Sequence, residues 1–230
     1  MRLANKVAMV TGAKGGLGSF VTEALLSAGA TVVGVSRSIK ASDFAHAAFH
    51  AHAAELGSLD AARQAVSSIV AAQGRLDAVV HLVGGFEMGG YVEDTSGEAF
   101  AKMMELNLYS ALRLFQAALP GMRAQGSGRL VAIGSRAALE PGANTSAYNV
   151  SKAALVSLVR TIAEETKTAG ISANVVLPGT MDTAANRAAM PGADFARWVQ
   201  PGQVAALIVH LLSDEAAQVT GAAIPIYGGS

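Results

Sequence analysis

Short apolar runs alternate with longer amphipathic stretches along this chain. Lys6–Thr11 (KVAMVT), Thr31–Ser36 (TVVGVS), Leu76–Val83 (LDAVVHLV), Arg129–Gly134 (RLVAIG), Ile171–Leu177 and Ala222–Tyr227 read as strands, with Phe49–Leu56 as a weaker one. Leu17–Ala28, Leu59–Ala72, Glu98–Met122, Ala147–Thr168 and Gln203–Leu212 read as helices. Phe100, Met103, Met104, Leu108, Leu112 and Phe115 recur at roughly helical spacing, and Leu155, Leu158, Val159 and Ile162 share one face of the next helix. Gly29 and Gly170 close two of these helices. Strands that are continuous apolar runs must be covered on both faces, and strands alternating with helices form βαβ units. The expected architecture is α/β, a parallel sheet of about seven strands with helices on both faces, in one domain spanning 1–230. One stretch is irregular: Pro178–Pro201 holds three prolines and two glycines. A loop of that length is usually functional. Its Phe195 and Trp198 predict that it packs onto something, so 179–200 reads as a substrate lid.

Composition narrows the class. The 17 basic and 17 acidic residues cancel, and 15% of positions are charged against a hydrophobic fraction of 51%. A neutral, sparsely charged chain lacks the basic patch of a nucleic-acid binder, and its hydrophobicity excludes disorder. Such a surface is readily hidden in subunit contacts, so an oligomer is expected. The absence of cysteine rules out disulfides, a thiolate nucleophile and Cys-ligated zinc. The Val7–Val10 run is too short for a signal core, and no stretch reaches the roughly 20 apolar residues of a membrane span. The protein is expected to be soluble and cytoplasmic, with no membrane partner. His46, His50 and His52 cluster without a recognisable ligand frame, so no metal is expected.

Chemistry enters with Thr11-Gly12-Ala13-Lys14-Gly15-Gly16-Leu17-Gly18, between the first strand and the first helix. Gly12 permits a tight turn, Gly16 lets the backbone approach a pyrophosphate, and Gly18 allows close helix–strand contact. The helix N-terminus then offers unpaired N–H groups to phosphates. This makes the sheet Rossmann-like and doubly wound. The second strand ends Val35-Ser36-Arg37-Ser38 with no acid at its tip. An acid there would bind ribose hydroxyls, whereas an Arg accommodates a 2′-phosphate. Arg37, Ser36, Ser38 and Lys14 therefore favour NADP(H), with NAD(H) as the alternative. Tyr148 and Lys152 are four apart and share a helix face. A nearby ammonium lowers a tyrosine pKa, making Tyr148 a usable general acid. Ser135 follows the fifth strand, at the sheet end where open α/β proteins bind ligands. Asn107 sits mid-helix, an awkward place for Asn.

Taken in order and spacing, these pieces, with Pro178-Gly179…Thr183 and the ending Thr220-Gly221-Ala222-Ala223-Ile224-Pro225, resemble the short-chain dehydrogenase/reductase family over the whole chain. The resemblance implies Tyr148 as proton donor, Ser135 holding the substrate carbonyl, and Lys152 on the nicotinamide ribose lowering the Tyr148 pKa. It implies Asn107 holding a relay water and Pro178–Thr183, including Gly179 and Met181, at the nicotinamide end. It places Glu55 and Leu56 near the adenine and Gly84 on the cofactor. It also implies a homotetramer or homodimer, with contact faces on Glu98–Met122 and Ala147–Thr168. Two segments depart from the pattern. His81-Leu82-Val83-Gly84 stands where the family has Asn-Asn-Ala-Gly, and Glu55-Leu56 where it often has Asp-Leu or Asp-Val. The segment Met181–Trp198 and Val83-Gly84-Gly85-Phe86 resemble dihydropteridine reductases, whose pattern lacks the Ser135 hydroxyl and prefers NADH. The expected function is NADP(H)-dependent hydride transfer to a ketone or 3-oxoacyl carbonyl, with a small-molecule substrate. Reduction of a quinonoid pterin and a non-catalytic dinucleotide-binding regulator are the alternatives. Phe86, Met88, Ala137, Leu139, Met181, Asn186, Met190 and Trp198 are expected to shape the pocket around an apolar substrate body.

Overall fold

The computed structural model of the protein describes residues 1–229. Seven parallel strands, β1 (Val7–Thr11), β2 (Thr31–Ser36), β3 (Phe49–Ala53), β4 (Ala78–His81), β5 (Gly128–Ile133), β6 (Ile171–Pro178) and β7 (Ala223–Ile226), lie in the order β3-β2-β1-β4-β5-β6-β7. The order reverses between β1 and β4, which opens a crevice at their carboxyl ends. This is the expected Rossmann-like, doubly wound arrangement.

Alternate strand residues feed two cores. On one face, Val7, Met9, Val33, Val35, Val79, Leu130 and Ala132 pack beneath α2 (Leu59–Gln73), α4 (Ser110–Gln125) and α5 (Ser146–Thr166). On the other, Ala8, Val10, Val32, Val80, Val131 and Val176 pack beneath α1 (Gly18–Ser27) and α7 (Pro201–Leu212). Because successive side chains of a strand point to opposite faces, two covered faces require unbroken apolar runs.

Two expected elements differ. The third strand ends at Ala53, before Glu55 and Leu56. Glu55 is exposed, while Leu56 turns into the core beside α2. The long helix expected over Glu98–Met122 is broken. α3 (Gly97–Met104) runs into a π-helical turn, Glu105–Tyr109, before α4 resumes. Ser110 contributes to the break, because its hydroxyl donates to the Leu106 carbonyl at 2.7 Å and competes with the regular helix ladder. The irregular stretch after β6 contains a short helix, α6 (Ala184–Ala189), and returns to the sheet side through a parallel bridge between Met181 and Val199.

Candidate active site

The glycine loop leaves β1 with Gly12 at φ 72°, its N–H donating to the Val35 carbonyl at 2.9 Å. A Cβ on Gly18 would lie 2.0 Å from the Gly12 carbonyl oxygen, so the loop closes onto α1 only without a side chain there. Leu17 is buried, while Lys14, Gly15 and Gly16 are exposed. No side chain caps α1, which leaves its N-terminus to a ligand. At the tip of β2 the Ser36 hydroxyl is buried without a hydrogen-bond partner among the described residues. A buried polar atom left unpaired is costly, and a ribose or phosphate oxygen would satisfy it. The cradle and this orphaned hydroxyl fit a dinucleotide. Arg37 and Ser38 are exposed beside it. Lys14 is turned aside: its ammonium donates to the Ser38 carbonyl at 3.0 Å and to Asp43 at 3.2 Å. Asp43 was not among the expected site residues, since nothing in sequence signals a contact with Lys14 across the loop. Its carboxyl is held below the ordinary value by the Lys40 backbone N–H and by Lys14.

At the other end, Pro178 closes β6 and the Gly179 N–H donates to the Ile226 carbonyl at 3.0 Å. Thr183 caps α6, accepting from the Asn186 N–H at 3.3 Å. A Cβ on Gly16 would approach the Thr183 methyl to 3.2 Å, so the two ends of the predicted cofactor site meet in space. Met181 is half-buried beneath this turn.

The π turn buries Asn107 completely, at 0% exposure. Its amide accepts from the Gly85 N–H at 2.9 Å and donates to the Gly85 carbonyl at 3.0 Å and to the Ser151 hydroxyl at 3.0 Å. A Cβ on Gly84 would lie 2.8 Å from Asn107 Oδ1 and 3.1 Å from Lys152 Nζ, which explains a glycine at that position.

Tyr148 and Lys152 stand one turn apart on α5, near Ser135 at the end of β5. Lys152 is 5% exposed and donates to the Ile133 carbonyl at 3.0 Å, with its Nζ 6.0 Å from the Tyr148 ring centre. Burial pulls the ammonium down to about 8. Burial raises the Tyr148 phenol above its ordinary value, and a hydrogen bond with the Ser135 side chain partly offsets this. The lowering of the Tyr148 pKa expected from Lys152 is therefore not found: burial sets the direction of the shift. The Ser135 hydroxyl also accepts from the Ala137 N–H at 3.2 Å.

His81, where the family has Asn, carries more than its sequence position signals. At 2% exposure it spans from the Thr11 hydroxyl, 3.0 Å from Nδ1, to the Ser110 hydroxyl, 3.1 Å from Nε2. Ser110 already donates to Leu106, so His81 donates from Nε2 and accepts at Nδ1. Burial, then the Lys152 charge, hold its pKa down at about 3, so the ring stays neutral. It ties the start of the glycine loop to the turn that carries Asn107.

Of the expected pocket residues, Phe86 meets the Tyr148 ring edge-on with centroids 4.9 Å apart, and Met88, Leu139 and Met190 are exposed. Ala137 and Asn186 are half-buried, and Asn186 donates to the Met181 carbonyl at 2.8 Å. Trp198 differs: it is buried, tilted against Phe195 at 4.8 Å, and serves to anchor the segment.

A family model described as short chain dehydrogenase matches residues 6–193. The chain belongs to the short-chain dehydrogenase/reductase family. It is an oxidoreductase acting on CH–OH and C=O groups with a nicotinamide dinucleotide. It is 32% identical over 248 residues to the 3-oxoacyl-(acyl-carrier-protein) reductase of rhamnolipid biosynthesis from Pseudomonas aeruginosa, covering 99% of this chain and 96% of that protein. It is 30% identical over 241 residues to acetoacetyl-CoA reductase from Acinetobacter sp., covering 97% of each. The crystal structure of gox2181 superposes with a TM-score of 0.90 at 30% identity, covering 99% of this chain and 96% of that one. Like other members of the family, it acts on small-molecule substrates. No helix among its described residues is long and apolar enough to cross a membrane.

Proposed function

We propose that this short-chain dehydrogenase is an NADP(H)-dependent carbonyl reductase, reversible as an alcohol dehydrogenase, with Tyr148 as its general acid/base. The observation that carries the reading is the placement of Tyr148 one turn from the buried Lys152 on α5, with Ser135 at the end of β5. Residues Gly12, Gly15, Gly16, Gly18 and Ser36 would hold the dinucleotide's phosphate and ribose end, and Pro178, Gly179, Met181 and Thr183 its nicotinamide end. A bound nicotinamide supplies the hydride that turns the carbonyl carbon into an alcohol carbon.

The chain's own groups do the rest. The Ser135 hydroxyl donates to the substrate oxygen and orients it. The Tyr148 hydroxyl gives that oxygen its proton, because an alkoxide forming there is far more basic than a phenolate. Lys152, with a pKa of about 8, exchanges protons near neutral pH and replenishes the tyrosine. The Ile133 carbonyl keeps Lys152 in place, Gly84 leaves room for its ammonium, and residues 179–200 close over the substrate as a lid. Arg37 and the absence of an acid at the tip of β2 favour NADP(H) over NAD(H). The exposed Tyr109 and Val150 on the α4 and α5 sides support a homodimer or homotetramer built on those faces.

The test is consumption of NADPH and NADH by the purified protein over ketones and quinonoid dihydropterin, repeated with Ser135→Ala. Ketone reduction with NADPH that collapses in Ser135→Ala supports this reading. Pterin reduction that survives Ser135→Ala would replace it.

A further inference from the structure

Three segments rim the crevice beside Tyr148: residues 82–96, 136–146 and 179–200. The first two are fastened to one another and to the catalytic helix. The Gly89 N–H donates to the Asn144 carbonyl at 2.8 Å, and the Thr95 and Ser146 hydroxyls meet at 3.0 Å. Phe86 touches Tyr148 directly. The segment 82–96 is therefore a wall of the site, and it presents an apolar surface. Phe86 is 62% exposed and Met88 67%. Met190 and Leu139, on the other two segments, are exposed as well.

The charge on this rim is one-sided. Together the three segments carry six carboxylates, Glu87, Glu93, Asp94, Glu140, Asp182 and Asp194, against three guanidinium groups. The segment 82–96 has no basic residue at all. The cations present are already engaged. Arg136 pairs with Glu140 at 2.7 Å, Arg187 with Asp182, and Arg197 donates to the Gly229 carbonyl at 2.8 Å. Lys102, on α3, pairs with Glu87 at 2.6 Å. A substrate bearing phosphates would meet net negative charge and would have to break an ion pair to reach Arg136 or Arg187.

We propose that the substrate of this site is an uncharged carbonyl compound whose apolar body lies against Phe86 and Met88, and not an acyl group carried on a phosphate-bearing thiol. This rests on the carbonyl reductase reading and separates this chain from the two relatives whose names specify such carriers. Burying Phe86 and Met88 under an apolar substrate body removes exposed apolar area from water without disturbing any rim ion pair. The reaction is unchanged: the carbonyl carbon gains the hydride, its oxygen gains the Tyr148 proton, and the dinucleotide leaves oxidised.

The experiment compares kcat/KM, with NADPH, for three probes: a phenyl alkyl ketone, acetoacetyl-coenzyme A, and acetoacetyl-N-acetylcysteamine. The last carries the same reacting group without phosphates. The expected ranking places both neutral probes at least about tenfold above the coenzyme A thioester, and added salt narrows the gap by screening repulsion. Phe86→Ala should lower kcat/KM about ten times further for the phenyl ketone than for acetone. Folding is not at issue for so exposed a side chain. A coenzyme A thioester that equals or outperforms its neutral fragment overturns the proposal. So does a Phe86→Ala variant that changes oligomeric state and leaves the phenyl ketone kinetics as they were. Tyr148→Phe tests the underlying reading separately: if it retains turnover of the probes, the catalytic assignment falls, whatever their ranking.

Discussion

Asn107 grips the peptide of Gly85 from both sides, accepting from its N–H at 2.9 Å and donating to its carbonyl at 3.0 Å. Gly85 precedes Phe86, which packs on Tyr148, so one buried amide sets the wall next to the proposed proton donor. Asn107→Ala leaves the Gly85 groups and the Ser151 hydroxyl without this partner. Each orphaned buried group costs about 1–3 kcal/mol. The expected loss is about 2–4 kcal/mol, seen in calorimetry as a Tm lower by roughly 4–16 °C for a chain of this size. The kcat should fall with it. A variant with unchanged Tm would refute the clamp.

Tyr148→Phe keeps the ring against Phe86 and removes only the hydroxyl. Turnover should drop by about 10²–10⁴-fold, the usual worth of a positioned general acid. The NADPH dissociation constant, read by fluorescence titration, should stay within about twofold. Loss of binding in place of turnover would contradict the role.

Dinucleotide preference should turn on the Lys14–Asp43 pair and on Arg37. Asp43 holds Lys14 at 3.2 Å, which would keep it from the 2′-phosphate of NADP(H) at the tip of β2. Asp43→Ala should free Lys14 and lower KM for NADPH with little change for NADH. Arg37→Ala should raise KM for NADPH about 10- to 100-fold, the worth of a charged hydrogen bond. Equal effects on both dinucleotides in steady-state kinetics would remove the NADP(H) assignment.

His81 makes a pH prediction with a definite sign. Its folded pKa is lowered from 6.5 to about 3. Between these values the unfolded chain binds the extra proton, so stability falls as pH drops through that window and is fully present above it. The stability lost across it is on the order of 5 kcal/mol. Urea unfolding of His81→Asn, which cannot take the proton, should show a shallower pH dependence below about pH 6.5. An identical slope in both proteins would place the acid sensitivity elsewhere.

The layout of strands and helices was legible because two covered sheet faces force unbroken apolar runs such as KVAMVT and TVVGVS. The glycine loop was legible because only glycine tolerates 2.0 Å between the Gly18 Cβ position and the Gly12 carbonyl. The end of β3 was not. Leu56 continues the apolar run, yet its side chain belongs to the helix-side core beyond the strand. The π turn also escaped, since Phe100 to Phe115 keep a helical period on both sides of it, and only the buried Asn107 hinted at a break.

The sequence by itself determined the sheet, the order of its parts, and the residue types able to bind a dinucleotide and move a proton. These follow from local period, from steric tolerance at glycine, and from spacings within one helix. Only the tertiary structure decided which groups are free to act. Lys14 is bound to Asp43, Lys152 to the Ile133 carbonyl, and the Tyr148 ring lies against Phe86, while His81 joins the glycine loop to the Asn107 turn. Such pairings join residues far apart in the chain, and burial sets their pKa values. Neither is encoded in any short stretch of sequence.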